Sequence, residues 1–429
     1  MKITVGIIGF GTIGTAVLAA WERNASLIAA KTGVTIQVKK VCDLKRSRAQ
    51  EDIPRNVVFT TRATGVLHDP DIDVIVELIG GIHPAKEYIL EALRSGKHVV
   101  TANKAVLAAC GKELFHAARD AKKIIGFEAS VGGGIPLMKN IAQSLSSARI
   151  KEVYGILNGT TNYILDRMTK EGADFRAALH QAQAAGYAER NPALDVKGID
   201  SLHKLSILSY LCFGRWVAPE ETVYAEGIEK ITPLDISYAD ELGYAVKLLA
   251  IAKHHDNKLI LRVHPALIRK DHLLSSVRGV YNAIYIKTDL NGVLTFYGLG
   301  AGGDPTAQAV LADIIEIAKG NGYYKDVLHL EKRRAHLPLE PIEHLQSSYY
   351  IRFTAKDKPG VLSRISTILA EYKISIASVT QKLRSQGQFV PIVMLTHEAR
   401  ESAVHEALAA IDKLALVRPK TQILRIEKL

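Results

Sequence analysis

Cysteine is scarce in this sequence: the three that occur, Cys42, Cys110 and Cys212, lie far apart and form no CxxC pair. This spacing predicts neither a disulfide framework nor a cysteine zinc site, and it favours a reducing, cytoplasmic compartment. Long apolar runs are missing too, since none approaches the ~20 residues that a membrane span needs. The first residues, 1–14, are too short, glycine-rich and strand-like for a signal peptide. We therefore expect no membrane association.

Aromatic residues make up only 6% of the chain, and the basic residues behind its net charge of +11 are scattered along it. Proteins that bind nucleic acids instead gather lysines and arginines into a stripe or patch. A phosphate-bearing small molecule explains part of the positive excess as well. We expect small anionic ligands and no nucleic-acid partner.

The length of 429 residues exceeds what one hydrophobic core supports, so two or three domains are expected. Short apolar strands alternate with helices over residues 1–130, which predicts an α/β fold with a Rossmann-like, doubly wound parallel sheet. Residues 131–330 mix the two patterns and predict an α+β domain. Within that domain we expect strands near 152–165 and a helix over 235–255.

Charged residues and prolines mark 331–347 as a linker. The remaining residues, 348–429, follow the order strand, helix, strand, strand, helix, strand. This βαββαβ order is typical of ferredoxin-like domains. It predicts a compact C-terminal unit that could fold independently.

A glycine-rich turn, "GFGTIG", follows the first strand and opens the first helix. Gly9 permits a tight turn, Gly11 lets the backbone approach a pyrophosphate, and Gly14 allows close packing of helix on strand. The pyrophosphate would lie at the helix N-terminus, beside Thr12 and Ile13. A purely structural turn is the alternative, but the strand before and the helix after favour dinucleotide binding.

The choice between NAD and NADP depends on the end of the second strand. Asp43 stands where an acidic residue would bind a ribose 2′-hydroxyl and disfavour a 2′-phosphate. Lys45 and Arg46 follow directly and could bind that phosphate. A solvated basic turn is the alternative. The sequence slightly favours NADP.

Ionisable residues gather in the stretch "GYAERNPALDVKGIDSLHK", directly before an apolar helix. Asp200 and Lys204 are four residues apart at the start of that helix, so they share one face. Glu189 and Asp195 precede them in an irregular segment and could reach the same cleft. A helix cap with a surface ion pair is the alternative, and the spacing alone favours it.

The same stretch resembles the signature of the homoserine dehydrogenase family throughout its length. Residues 155–165 and 99–105 resemble this family too, as does the order of the domains. The matching signature residues are Ala182, Gly186, Ala188, Asn191, Pro192, Asp195, Val196, Gly198, Asp200 and Lys204.

This resemblance implies reversible, NAD(P)-linked interconversion of L-homoserine and L-aspartate 4-semialdehyde, in threonine, methionine and isoleucine biosynthesis. It implies that Lys204 donates and accepts the proton and that Lys104 is the second active-site lysine, close to the cofactor. Glu189, Asp195 and Asp200 would bind the substrate or order a water, with Asp200 also in the catalytic set. Residues 131–330 would bind substrate and dimerise, giving a homodimer or homotetramer.

Two glycines and one loop carry further implications of the resemblance. Gly186 and Gly303 would contact the cofactor, although Gly303 could equally serve only a helix-entry turn. The loop "EASVGGGIP" resembles the family's site for a monovalent cation, Na⁺ or K⁺, bound mostly by backbone carbonyl groups. A glycine hinge between domains is an equal alternative. The implied cation ligands are Glu128, Val131, Gly133 and Ile135.

The C-terminal unit resembles ACT domains, through the opening "DKPGVL". A small amino acid, most often L-threonine, would bind at the start of its first helix and regulate the enzyme. An oligomerisation module without a ligand is the alternative. No kinase-sized region precedes the glycine turn, so a monofunctional enzyme is expected. The implied effector residues are Asp357, Pro359, Gly360, Val361 and Leu362.

Two other functions remain open at this stage. One is a different amino-acid dehydrogenase on the same scaffold, against which the match over residues 182–204 argues. The other is a non-catalytic sensor of NAD(P) or amino acids, built from Rossmann and ACT parts. Loss of Lys204 or Asp200 would have favoured the sensor, but both residues are present.

Overall fold

The computed structural model describes residues 1–44, 53–219, 221, 223–320, 323–330, 337–382 and 387–429. Lys45 and Arg46, the predicted 2′-phosphate ligands, lie outside the described residues. Among the described helices, none combines the length and apolar character needed to cross a membrane.

The N-terminal part forms a six-stranded parallel sheet in the order β3-β2-β1-β4-β5-β6. This order, with helices in the connections, confirms the predicted Rossmann-like doubly wound sheet. Its central strands are apolar on both faces because helices cover both sides. The strands are β1 (Lys2–Ile8), β2 (Thr35–Cys42), β3 (Val58–Thr60), β4 (Val74–Glu77), β5 (His98–Thr101) and β6 (Ile125–Gly126). The helices are α1 (Thr12–Thr32), α2 (Thr64–Leu67), α3 (Ala85–Arg94) and α4 (Lys104–Asp120).

The middle part combines mostly antiparallel strands with helices packed on them. Its strands are β7 (Ile150–Ile156), β8 (Tyr224–Ala225), β9 (Tyr244–His255), β10 (Lys258–Arg269), β11 (Tyr281–Thr288) and β12 (Val293–Leu299). Its helices are α5 (Gly159–Glu171), α6 (Phe175–Ala184), α7 (Ala193–Val196), α8 (Ile199–Phe213), α9 (Pro233–Glu241), α10 (Gly303–Ala318) and α11 (Tyr323–Val327). Among the described strands of this part, only the short β8 pairs in parallel, with β10. Helix α8 packs against α4, so the N-terminal and middle parts meet there.

Two local expectations for the middle part were wrong. The strand predicted near 152–165 ends at Ile156, and α5 follows because Asn158 caps it through its side chain. The helix predicted over 235–255 stops at Glu241, before Gly243 with φ +82°. The apolar run after it is the buried strand β9. The spacing of apolar residues in sequence does not distinguish a buried strand from a buried helix.

The C-terminal part has the predicted βαββαβ order, with one extra two-residue strand. Its strands are β13 (Gln346–Lys356), β14 (Ile376–Thr380), β15 (Phe389–Thr396), β16 (Ala399–Arg400) and β17 (Val417–Ile426). Its helices are α12 (Val361–Glu371) and α13 (Glu401–Ile411). They pack on one face of its sheet over a separate hydrophobic core.

The C-terminal sheet continues the sheet of the middle part. Strand β17 pairs in parallel with β10, and the combined sheet has the order β12-β11-β7-β9-β10-β17-β13-β15-β14. On a neighbouring surface, Arg352 of β13 binds Asp235 of α9, with Nε and Nη2 at 2.6 and 3.0 Å from its two carboxylate oxygens. The C-terminal part is thus attached through backbone pairing as well as side chains.

Buried charges accompany this pairing, and we call the cluster of Arg262, Glu427, Arg425 and Glu401 the domain seam. Arg262 of β10 donates from Nη2 to both carboxylate oxygens of Glu427, at 2.7 and 2.9 Å. Arg425 of β17 donates from Nε to Glu401 at 2.9 Å and binds it through Nη2 as well. All four side chains are at most 3% exposed.

Candidate active site

The glycine-rich turn has the geometry that its sequence predicts. Gly9 has φ +102°, and a Cβ there would lie 2.7 Å from the carbonyl carbon of Leu78. A Cβ on Gly14 would lie 2.2 Å from the Gly9 oxygen, so helix and turn can pack this closely only with glycine. At Gly11, by contrast, a Cβ would meet nothing within 4 Å. Its backbone faces open space, as a pyrophosphate contact requires.

The start of α1 is free to bind an anion. Gly11 is its N-cap residue, no side chain in the described part of the protein caps it, and its first turn contains no acidic residue. Thr12 is exposed and Ile13 half-buried in this turn. The unpaired N–H groups and the helix dipole therefore fit a phosphate group. The start of α10 lies alongside, since a Cβ on Gly303 would come within 3.1 Å of the Ala16 Cβ.

Asp43 helps to shape the turn. Its Oδ2 atom accepts a hydrogen bond from the Phe10 backbone N–H at 2.7 Å. This bond holds the end of β2 against the glycine turn that follows β1. The carboxylate therefore has a structural role, in addition to the ribose contact considered from the sequence.

Lys104 is fixed at the first position of α4 by its neighbours. Asn103 caps the helix, accepting from the Val106 N–H at 3.2 Å, and donates to the Gly81 carbonyl at 2.6 Å. Its own N–H binds the Thr101 hydroxyl, which in turn donates to the fully buried Glu77 at 2.7 Å. This chain of hydrogen bonds aims Lys104 from the N-terminal part towards α8.

Lys104, Asp200 and Lys204 meet where α4 packs against α8, and we call them the lysine–aspartate cluster. Lys204 donates to Asp200 Oδ2 at 2.7 Å, and the Lys104 ammonium lies 3.1 Å from Asp200 Oδ1. The Lys204 side chain is 9% exposed and that of Lys104 is 41% exposed. One carboxylate thus holds two ammonium groups, one buried and one partly exposed.

Burial and charge change the pKa of each group in the cluster. Burial alone would raise the pKa of Asp200, but Lys204 and Lys104 outweigh it and hold that pKa well below its usual range. The charge of Asp200 raises the pKa of Lys104 above its ordinary value, against burial. Burial lowers the pKa of Lys204, with Asp200 opposing and Lys104 adding to the decrease. Lys204 is therefore the lysine that more readily gives up its proton.

Asp195 lies beside the cluster, whereas Glu189 is further out. Asn158 Nδ2 donates to Asp195 Oδ1 at 2.7 Å and to Asp200 Oδ2 at 2.9 Å. Burial, and then the charge of Asp200, raises the pKa of Asp195. Glu189 is exposed, and its charge helps to raise the pKa of Lys104. The two lysines and two aspartates predicted for the site are thus brought together.

Sequence reasoning missed three groups that line this site. Besides Asn158, they are the Leu157 carbonyl, which accepts from Lys204 Nζ at 2.6 Å, and Asn282, which donates to the same carbonyl at 2.9 Å. Asn282 fits only because residue 300 is glycine: a Cβ on Gly300 would lie 1.9 Å from its Nδ2. The "NG" before a helix was a signal for the Asn158 cap, but nothing local in sequence points to Asn282.

Gly186 has a clear local role. It follows α6 with φ +74°, its N–H binds the Gln183 carbonyl at 3.0 Å, and the Tyr187 N–H binds the Ala182 carbonyl at 2.8 Å. These two bonds form a Schellman motif, which ends a helix and favours glycine. A cofactor contact by Gly186 stays a prediction.

The predicted cation loop is buried at the junction of the N-terminal and middle parts. Val131, Gly133 and Ile135 are buried, and the Glu128 carboxylate accepts three backbone N–H groups, from residues 137–139, at 2.6–2.9 Å. The Glu128 side chain is thus used within the protein, which leaves backbone carbonyl groups for a cation. In the described part of the chain, no cluster of three or more His, Cys, Asp or Glu side chains suits a metal ion.

The predicted effector residues surround the start of α12. Gly360 is the N-cap residue with φ +85°, and among the described residues no side chain caps the helix. Val361 is buried, Leu362 is 43% exposed, and Pro359 is exposed. Asp357 accepts from Gln381 at 3.4 Å. The Val361 N–H binds the Lys358 carbonyl at 3.4 Å, and the next N–H groups of the first turn fit a carboxylate.

Comparisons with known proteins agree over the whole chain. Residues 9–128 match the family model "Homoserine dehydrogenase, NAD binding domain", residues 136–315 match "Homoserine dehydrogenase", and residues 349–416 match "ACT domain". A homoserine dehydrogenase of Pseudomonas aeruginosa is 42% identical, over 100% of this chain and 99% of that protein.

Solved structures give the same result. The crystal structure of a homoserine dehydrogenase from Thiobacillus denitrificans has a TM-score of 0.93 and 40% identity, covering 100% of this chain and 98% of that one. A hyperthermophilic archaeal homoserine dehydrogenase, solved in complex with NADPH, has a TM-score of 0.62 and 28% identity, covering 75% and 98%. The chain therefore belongs to the homoserine dehydrogenase family of oxidoreductases, with an NAD-binding domain and a C-terminal ACT domain.

Proposed function

We propose that the protein interconverts L-homoserine and L-aspartate 4-semialdehyde reversibly, with NADP favoured over NAD, in the biosynthesis of threonine, methionine and isoleucine. The observation that carries the proposal is the lysine–aspartate cluster, in which Asp200 binds both Lys104 and Lys204. The cluster joins the cofactor-binding part, through α4, to the middle part, through α8. A substrate placed there lies within reach of both.

Lys204 exchanges the proton of the substrate hydroxyl. Two of its three ammonium hydrogens have acceptors in the protein, the Leu157 carbonyl and Asp200. None of the hydrogen bonds between described residues uses the third, which is available to an oxygen of the substrate. In homoserine oxidation the neutral amine takes the hydroxyl proton, and in the reverse direction the ammonium returns it to the aldehyde oxygen. The bound nicotinamide supplies or accepts the hydride.

The other polar groups orient the substrate. Lys104 is the more exposed lysine, and its raised pKa keeps it charged, so it suits binding of an anionic or polar group rather than proton transfer. Asp195 is half-buried and Glu189 exposed beside the cluster, and both carboxylates suit the substrate ammonium group. This division assigns one role to each lysine.

The preference for NADP rests on the basic residues that follow Asp43 in sequence. Asp43 already binds the Phe10 N–H, which leaves a smaller share of its carboxylate for a ribose hydroxyl. A 2′-phosphate would then be bound by the basic side chains next in sequence, Lys45 and Arg46. The NADPH-bound archaeal relative supports this preference by analogy.

The test is the initial rate of nicotinamide reduction with L-homoserine, using NADP and NAD in parallel. We expect a rate that depends on homoserine and is higher with NADP. L-2-Aminobutyrate, which lacks the hydroxyl group, is the matched control and should give no rate. Absence of a rate with either cofactor, in protein that binds the dinucleotide, would contradict the proposed reaction.

We further propose that L-threonine inhibits the enzyme by binding at the start of α12. The uncapped N–H groups there suit its carboxylate, and Asp357 and Gln381 stand near it. Asp357→Asn should weaken inhibition by threonine, whereas Glu371→Gln, at the exposed end of the same helix, should leave it intact. Equal inhibition of both variants would exclude this site.

Three simpler proposals complete the function. Backbone carbonyl groups of residues 128–135 would bind Na⁺ or K⁺, so exchange of the salt for a tetramethylammonium salt should lower the rate. The enzyme would be a homodimer or homotetramer, which light scattering after gel filtration measures. The cytoplasm is the proposed compartment, and cell fractionation tests it.

A further inference from the structure

Asn158 joins the two carboxylates of the site. Its Nδ2 atom donates to Asp195 Oδ1 at 2.7 Å and to Asp200 Oδ2 at 2.9 Å. Two carboxylates this close repel each other, and proximity to Asp200 disfavours the ionised form of Asp195. An amide group with two hydrogens relieves that repulsion without adding a charge. The side chain is 5% exposed, so water does not replace it easily.

The orientation of this amide is determined by helix α5. Asn158 Oδ1 accepts from the Thr161 N–H at 2.8 Å and from the Thr161 hydroxyl at 2.9 Å. Exchange of the amide oxygen and nitrogen would lose this cap and turn an oxygen towards two carboxylates. The cap of α5 and the carboxylate bridge are therefore one arrangement.

Capping alone does not require asparagine at this position. Serine, aspartate and asparagine are similarly good N-caps. Among them only asparagine offers an acceptor to the helix and two donors to carboxylates at once. The preceding residue, Leu157, contributes its carbonyl to Lys204, so the same two residues contact both members of the ion pair.

We propose that Asn158 is a positioning residue: it holds Asp195 and Asp200 together, so that Asp200 can bind Lys104 and Lys204 at once. This inference rests on the proposed function, because it assigns a purpose to the cluster that carries out the reaction. The charged groups that face the amide are Asp195 and Asp200 directly, and the two lysines through Asp200.

Asn158→Asp in the full-length protein is the first test. The change preserves the shape and the cap but replaces two donors by a third carboxyl group. Protonated at low pH, that carboxyl can still donate to a neighbouring carboxylate, but ionised at higher pH it cannot. We expect the ratio of variant kcat to parent kcat to fall as pH rises. A ratio that does not depend on pH would overturn the inference.

Asn158→Ser is the second test, since serine keeps the cap and loses the bridge. We expect kcat to fall on the order of 100-fold, with a Tm close to that of the parent. The matched control is Asp174→Asn. Asp174 caps α6, and its Oδ1 accepts from the Ala177 N–H at 2.8 Å. The control should keep its full rate, and a serine variant with a normal kcat would refute the role.

A third measurement does not depend on turnover. Protein labelled with ¹³C at aspartate carboxyl carbons is titrated by NMR, with the Asp195 signal assigned from an Asp195→Asn variant. The carboxyl should titrate at higher pH in Asn158→Ser than in the parent. Identical titration of Asp195 in the variant and the parent would overturn the inference. Inactivity of the parent with homoserine would refute the proposed function instead, and the titration would still test the role of Asn158.

Discussion

The lysine–aspartate cluster and the domain seam are both buried groups of ion pairs, but they are made from different cations. In the seam, Glu427 and Glu401 face arginines, whose guanidinium groups stay charged. Arg425 binds Glu401 through two nitrogens, and Arg262 contacts both carboxylate oxygens of Glu427 through Nη2. In the cluster, Asp200 faces lysines, whose pKa changes with burial. The seam suits a permanent attachment and the cluster suits proton exchange.

The two regions differ in access as well. No seam side chain is more than 3% exposed, whereas Lys104 in the cluster is 41% exposed. The cluster also has two ammonium groups around one central carboxylate, so a polar substrate can complete it. The seam joins two parts of one sheet and has its charges matched within the protein. Burial of charge therefore does not by itself mark a functional site; the kind of cation and its access do.

The largest expected effect comes from replacing a lysine of the lysine–aspartate cluster by arginine, the cation found in the domain seam. Lys204→Arg retains the positive charge beside Asp200 but removes a group that can exchange a proton at neutral pH. We expect turnover to fall by roughly 10²–10⁴, the usual contribution of general acid–base catalysis, with dinucleotide binding retained. Steady-state kinetics measure turnover, and fluorescence titration with NADPH measures dinucleotide binding.

The control for that change is Lys197→Arg, an exposed lysine in the same stretch, which should behave like the parent. Turnover of Lys204→Arg within a few-fold of the parent would remove Lys204 from the proton transfer. Lys104 would then be the remaining candidate.

The second prediction concerns the loss of one ion pair from the domain seam. Arg262→Met leaves the Glu427 carboxylate buried, with Lys253 at 3.5 Å and His264 at 3.7 Å as basic neighbours. We expect the free energy of unfolding to fall by about 3–5 kcal/mol, while kcat of the folded protein changes little. Chemical denaturation and kinetics at low temperature measure both.

The double variant Arg262→Met/Glu427→Met sharpens this result. It removes both charges, so most of the lost stability should return. A double variant as unstable as the single one would show that the seam stabilises the fold through packing rather than through compensation of charge.

Acidification should affect the seam to a smaller extent. Burial opposes the charge of Glu427, but Arg262 and Lys253 outweigh burial and lower its pKa from 4.5 to about 2. The unfolded chain binds a proton near pH 4.5 and the folded one does not, so the stabilisation exists above pH 4.5 and decreases as pH falls towards 2. Between pH 6 and pH 3 we expect a loss of about 2 kcal/mol from this group. The double variant should lack that part of the pH dependence; equal slopes for parent and variant would contradict the assignment.

The sequence predicted those parts of the fold in which the order of strands and helices along the chain determines how the strands are arranged. The parallel sheet of the N-terminal part and the C-terminal βαββαβ order followed from alternating strands and helices. The boundary at Ile156 and the strand after Gly243 were missed because a short apolar run fits either a helix or a strand. The β10–β17 pairing was missed because it joins Ala266 to Arg425, residues far apart in sequence.

The site was predictable only in part, for a similar reason. Asp200 and Lys204 lie four residues apart and could be paired from sequence, but Lys104 joins them only through the packing of α4 on α8. Asn282 approaches the Leu157 carbonyl across the sheet, with no local signal. The role of Lys204 came from the family signature, because spacing alone favoured a surface ion pair.

The last prediction concerns the pH dependence of homoserine oxidation. The charge of Lys104 helps to lower the pKa of Lys204, whose neutral form must accept the proton. Lys104→Met removes that positive charge, so the Lys204 ammonium becomes more stable and its pKa rises. The ascending limb of the kcat profile, along which Lys204 loses its proton as pH rises, should therefore move to higher pH. Lys104→Arg retains the charge and should leave the limb in place. If the methionine variant keeps the parent profile, or moves it to lower pH, then the charge of Lys104 does not lower the pKa of Lys204 across Asp200.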